Sequence, residues 1–197
     1  MAEFSFDKKK RPALLALSGL SLVLYVLVAA LLFYFFHDDP IKSLRGGFSS
    51  PTVQIIAGLL SGCGFAFFIW LAIFISPVSS ILSDYSIVRT VAQLKLTRFD
   101  QMQLSFFAGL GEEVLFRAAI QPLLGIWLTS VLFVGIHGYF KWTSWKHLVF
   151  GLMMFLLSIG LGFLYQYTGL IAAISAHVIY DVLIFRMGDA YFKEIEP

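Results

Sequence analysis

The chain has 197 residues, 59% of them hydrophobic and only 13% charged, with a formal net charge of +2. Soluble domains run at about 45–50% apolar and about 25% charged, so the composition excludes a soluble enzyme and reads as a single integral membrane domain over 1–197. Basic residues scattered over short loops at so small a net charge leave nucleic-acid binding without support.

In chain order, the first apolar stretch, 13–36, follows Lys8-Lys9-Lys10-Arg11. It is longer than the ~7–15-residue apolar region of a secretory signal and ends in aromatics, so it is expected to remain as an anchor. Gly58 and Gly62 in the next stretch, 53–78, have the small-xxx-small spacing that suits close helix packing in lipid. Cys63 has no second cysteine to pair with and reads as a packing residue. The polar stretch 79–100 is expected to run along the membrane surface. Further apolar lengths predict spans near 103–124, 126–140, 147–165 and 170–187, making six in all, where a crossing takes about 20 helical residues. The fourth is short and follows Pro122 and Gly125. Trp142 and Trp145, set between Lys141 and Lys146, fit an interfacial belt.

Charge orients these spans. With the N-terminus inside, the cytoplasmic segments hold Lys8, Lys9, Lys10, Arg11, Arg89, Lys95, Arg98, Lys141, Lys146, Arg186 and Lys193, and the outer loops hold only Lys42 and Arg45. The positive-inside rule then predicts an even number of spans with both termini cytoplasmic. The expected fold class is an all-α membrane helix bundle.

Arg117 is the basic residue left inside a span, and ionisable residues there cost about 2.5–3.5 kcal/mol each on insertion scales, which makes them functional candidates. They form three groups. In Gly111-Glu112-Glu113-Val114-Leu115-Phe116-Arg117, Glu113 and Arg117 share a helix face and can neutralise each other, whereas Glu112 lies about 100° away and is left to hold a water. Phe133 and His137 share a face at the same spacing, although a lone His at a helix end is by itself weak. His177 and Asp181 form the third group, in which the carboxylate can fix the tautomer of the imidazole. Counting at 1.5 Å per residue puts Glu112 about 13 Å, and Asp181 and His177 about 9 and 15 Å, from the cytoplasmic ends of their spans. His137 lies within about a turn of its own, so all four are expected to meet in the cytoplasmic half.

The order Glu-Glu-xxx-Arg, Phe-xxx-His, His-xxx-Asp on successive helices resembles the three motifs of the CAAX-protease and bacteriocin-processing (CPBP, or ABI) family of intramembrane endopeptidases. The resemblance covers roughly 105–187, the expected catalytic core, and does not reach the first two spans. It implies that Glu112 is the principal base, that His137 helps polarise a water, and that Glu113, Arg117 and Phe133 support them. His177 and Asp181 fall on the motif that stabilises the oxyanion or positions the substrate. Eukaryotic relatives resemble this pattern with Asn in place of Asp181. An ionised Asp accepts but cannot donate, so Asp181 is expected to orient His177. The resemblance also implies a bacterial cell membrane, lipid surroundings, and a hydrophobic, leader or lipidated peptide as substrate.

Two Glu and two His also suggest metal chemistry. The expectation here favours no cofactor, with a divalent metal such as zinc, held by Glu112, His137, His177 and Asp181, as the alternative. Two other functions compete with hydrolysis: a non-catalytic peptide-binding or scaffold protein that keeps the pocket, and a proton-coupled carrier. The carrier lacks the repeat and paired broken helices expected of a transporter site. His37, beside Asp38 and Asp39, reads as a solvated outer loop, and His147 as a cytoplasmic helix start.

Overall fold

The computed structural model of the protein describes residues 10–47, 49–75, 81, 84 and 96–195. Lys8, Lys9, Arg89, Lys95, residues 76–78 of the second expected span and most of the 79–100 stretch lie outside the described residues. In order along the chain are α1 (Lys10–Phe36), α2 (Pro40–Arg45), α3 (Pro51–Ile75), α4 (Arg98–Glu112), a π-helical segment (Glu113–Ile120), α5 (Gln121–Ile136), α6 (Trp145–Tyr167) and α7 (Leu170–Ile195). No strand occurs among the described residues.

The third helix begins earlier than its apolar run does. Thr97 accepts from the backbone of Asp100 at 3.3 Å and Asp100 accepts from the backbone of Thr97 at 2.7 Å, a capping box that starts α4 at Arg98 and contributes about 1 kcal/mol. Pro40 at the first position and Asp39 as cap, accepting from Lys42 N–H at 3.0 Å, nucleate α2 just after the stretch read as a solvated loop.

Among the described residues five helical stretches are long and apolar enough to cross a membrane, where six were expected, because the third and fourth form one run, Arg98–Ile136. That run breaks at Gly125, whose φ of 75° and ψ of 169° are accessible to glycine and to few other residues. The chain folds back there as a hairpin: Glu112 meets His137, and Phe116 meets Phe133, at nearly equal distances in sequence on either side of Gly125. The returning arm, 126–136, is about 16 Å long at 1.5 Å per residue, roughly half of a ~30 Å hydrocarbon core. His137 therefore lies about halfway along a crossing, and not near the far end of a full one.

Close approaches fix how the helices run. Gly19 faces Phe107 and Gly111 faces Leu22 and Tyr25, so α1 runs alongside α4 in the same direction. α7 runs against them, with Gly109 opposite Val178 and Ala118 in one cluster with Ala173. Gly58 packs on Ala172 and Ser175, and Gly62 on Ala176 and Ile179, so α3 runs with α7. Any side chain at either glycine would collide with α7 backbone, which is the close contact their spacing suggested. Arg117 reaches Ser158 and Gln121 reaches Gly162, so α6 runs with the π segment. The starts of α1, α4 and α6 and the end of α7 consequently share one end of the bundle, bringing Arg11, Arg98, Lys146 and Arg186 together, while Lys42 and Arg45 lie at the opposite end. Cys63 is exposed on the outer surface of α3 and is not a packing residue.

Candidate active site

The π-helical turn is where the first motif lies. Pro122 has no N–H to donate back into the helix, and the N–H of Gln121 bonds to Phe116 O, five residues back. Single π turns inside α-helices recur at functional sites. The wider turn brings residues four apart nearly into line, and Arg117 Nε donates to Glu113 Oε2 at 3.0 Å, both side chains being fully buried. Arg117 Nη2 donates to Ser158 Oγ of α6 at 3.0 Å, and the guanidinium carbon lies 5.4 Å from the centre of the Phe133 ring.

Glu113 holds more than Arg117. Its second oxygen, Oε1, lies 2.8 Å from His177 Nδ1, so that nitrogen carries the hydrogen and Nε2 is turned the other way. Sequence reading assigns the orientation of His177 to Asp181. In the structure the partner that sets the tautomer is Glu113, and Asp181 Oδ2 lies 3.6 Å from the opposite nitrogen, Nε2. The difference arises because α7 crosses the π segment at Glu113, a contact that no local spacing encodes.

His137 is set in the same manner by different means. Its Nδ1 donates to Phe133 O at 2.8 Å, leaving Nε2 facing Glu112 Oε2 at 3.4 Å. Its ring lies between two others, Phe133 at 4.3 Å and Tyr139 at 5.6 Å between centroids, the latter nearly parallel at 15°. Tyr139 in turn meets the edge of Phe150, and its carbonyl crosses α6 at Gly151, where a Cβ would lie 2.9 Å from it. His177 Nε2 lies 3.9 Å from Glu112 Oε2.

Glu112, with its side chain 11% exposed, is thus faced by the Nε2 atoms of two imidazoles whose Nδ1 hydrogens are committed elsewhere. Asp181 borders the same edge. The residues singled out in the three motifs meet in one place, split into a clamped layer of Glu113, Arg117 and Ser158 and an open edge of Glu112, His137, His177 and Asp181. At 3.4–3.9 Å the polar atoms of that edge are farther apart than ordinary hydrogen-bond partners. Among the described residues no group of three or more His, Cys, Asp and Glu is arranged to hold a metal ion.

Tyr139, Ser158 and Gly151 were missed by sequence reading. Only Gly151 carried a usable signal, as a small residue where another strand of chain could cross. His37 also departs from expectation. It is half-buried, with Nδ1 3.0 Å from Ser43 Oγ and Nε2 donating to Ala119 O at 2.8 Å, so it clasps the C-terminal end of α1 to the end of the π segment. His147 begins α6 as expected, and its Nε2 lies 3.1 Å from Asp84 Oδ2.

Residues 96–183, which carry all three motifs, match the family described as type II CAAX prenyl endopeptidase Rce1-like. An uncharacterized protein of Bacillus subtilis (strain 168), YpbD, is 36% identical over 81 residues, which are 41% of this chain and 41% of that protein, so the match spans about two-fifths of its length. No solved structure gives a significant match. The segment that builds the clamped layer and the open edge around Glu112 is therefore the part of the chain that is similar to the Rce1-like family.

Proposed function

We propose that this chain is an intramembrane endopeptidase in which Glu112 activates a water for attack on a peptide carbonyl. The observation that carries this reading is the convergence of His137 Nε2 and His177 Nε2 on the Glu112 carboxylate, with both tautomers fixed from behind. A water seated beside Glu112 and His137 on the open edge donates a hydrogen to each and turns a lone pair toward the substrate. As the new C–O bond forms, Glu112 takes the proton and the carbonyl electron pair moves onto oxygen. A protonated His177 Nε2 donates to that oxyanion. Collapse re-forms the carbonyl and breaks the C–N bond, and Glu112 passes its proton to the leaving amine.

The substrate would be a hydrophobic, leader or lipidated peptide held in the membrane, in line with the family's prenyl endopeptidase description. The working core is residues 105–187. The clustering of Arg11, Arg98, Lys146 and Arg186 at one end supports a cytoplasmic location for that end and a site opening toward it.

Purified protein in lipid bilayers is expected to cleave a membrane-associated peptide, and Glu112→Gln to abolish cleavage. Retention of cleavage by Glu112→Gln, His137→Ala and His177→Ala alike would sink the mechanism. Glutamic chemistry further predicts that cleavage survives exhaustive chelation, whereas loss restored by added zinc would assign the site to a metal.

A further inference from the structure

The returning arm of the hairpin is apolar except for two hydroxyl residues, Thr129 and Ser130. Both are fully buried, and neither hydroxyl has a hydrogen-bond partner among the described residues. A helical Thr usually bonds to the carbonyl four residues back. For Thr129 that carbonyl belongs to Gly125, where the backbone leaves the helix.

Two further orphan atoms belong to side chains that border the same arm, Arg117 at Phe133 and Gln121 beside Ile126. Arg117 commits Nε to Glu113 and Nη2 to Ser158, leaving Nη1 buried without a partner. Gln121 donates Nε2 to Gly162 O at 3.0 Å and leaves Oε1 likewise. Gln121 and Ile126 converge on Gly162, where a Cβ would meet Gln121 Oε1 and Ile126 Cγ2 at 2.9 Å each. Three and four residues on, along the same helix face, come Thr129 and Ser130, followed by Phe133 beneath the Arg117 guanidinium. From 126 to 133 this seam is about 10 Å long.

Its chemistry selects the occupant. The guanidinium repels a cation, and the Gln121 carbonyl oxygen disfavours an anion. Two hydroxyls, one acceptor and one donor suit water, and buried waters typically make about three hydrogen bonds to otherwise unsatisfied groups. We propose that the seam is an internal water site, with ordered water held by Arg117 Nη1, Thr129 Oγ1, Ser130 Oγ and Gln121 Oε1. Phe133 walls it off from the Glu112 edge, because its ring lies against the guanidinium as well as against His137 and His177. This water solvates the Arg117 end of the Arg117–Glu113–His177 chain, and is distinct from the water proposed as nucleophile.

Water-edited solid-state NMR of the full chain in lipid bilayers tests the site without reference to cleavage, so its outcome is independent of the endopeptidase reading. Water magnetisation should build up on the Arg117 guanidinium and on Thr129 at least about threefold faster than on buried Ala173. In Thr129→Val/Ser130→Ala the Arg117 build-up should fall to the Ala173 rate, whereas Thr129→Ser should retain it. Build-up on Arg117 and Thr129 as slow as on Ala173 in the wild-type chain would overturn the proposal. So would fast build-up on Arg117 that persists in the double variant, since water would then reach it by another path. If the double variant fails to fold, the wild-type rates alone decide.

Discussion

Helices α1 and α3 are as apolar as the helices that follow residue 96, yet the two halves of the chain are built differently. Only 6% of the apolar window of α1 is buried within the protein, against 50% of that of α6. Lipid tails are as apolar as leucine, so burying a helix inside protein brings no hydrophobic gain in a bilayer. What gathers the second half is its polar content: Arg117, Glu113, His177 and Ser158, from three helical segments, are buried against one another. The first half attaches by close approaches at Gly58 and Gly62 and by clasps at its ends, namely Arg11 with Asp100 at 2.7 Å, His37 with Ala119 O, and Gln54 accepting from Ile171 N–H at 3.0 Å. Function should therefore concentrate in one half, and the other should respond mainly in stability.

The sharpest way to break this contrast is at Glu112. Glu112→Gln should lower kcat by about 10²–10⁴-fold, the usual worth of a general base, with the unfolding midpoint unchanged because its oxygens make no short hydrogen bond. Arg117→Leu leaves Glu113 buried without its cation and should cost about 3–5 kcal/mol of stability, read as a lower denaturation midpoint in detergent. In the first half, Gly62→Leu should cost about 1–3 kcal/mol by overpacking against α7, while the protein that still folds keeps its kcat. Tyr139→Ala removes one wall of the His137 stack, worth about 0.5–1.5 kcal/mol. It should lower kcat by up to about tenfold with KM unchanged, and Tyr139→Phe should restore it. The smallest effect is expected from Arg11→Ala, which removes a partly exposed ion pair worth about 1 kcal/mol or less and should leave cleavage alone. Equal losses of kcat from Gly62→Leu and from Tyr139→Ala would erase the distinction between the halves.

Much of this arrangement is legible along the chain, for reasons that differ by residue. Glu113 and Arg117 announce their pairing by spacing, as do Phe133 and His137, because both contacts are local to one helix. The hairpin was half legible: Pro122 and Gly125 marked an interruption, but whether the chain continued across or doubled back depends on what the returning arm packs against. Six spans, the fourth of them short, were expected for that reason. His37 was unreadable as a clasp, since its acceptor, Ala119 O, is 82 residues away. Cys63 was placed inside by its small neighbours, although in a membrane either side of a helix is an apolar environment.

The sequence alone determined the membrane class, the helical architecture and the ionisable residues that matter, because the bilayer demands long apolar helices and makes each charge within them conspicuous. Tertiary structure decided what each carboxylate meets. Glu112 and Glu113 are adjacent and chemically identical, and the sequence offered Arg117 to one of them. Only the crossing of α7 gave Glu113 its second partner in His177, and only the fold at Gly125 carried His137 back to Glu112. Those contacts join residues 64 and 25 positions apart, so they depend on how helices pack and not on any local spacing.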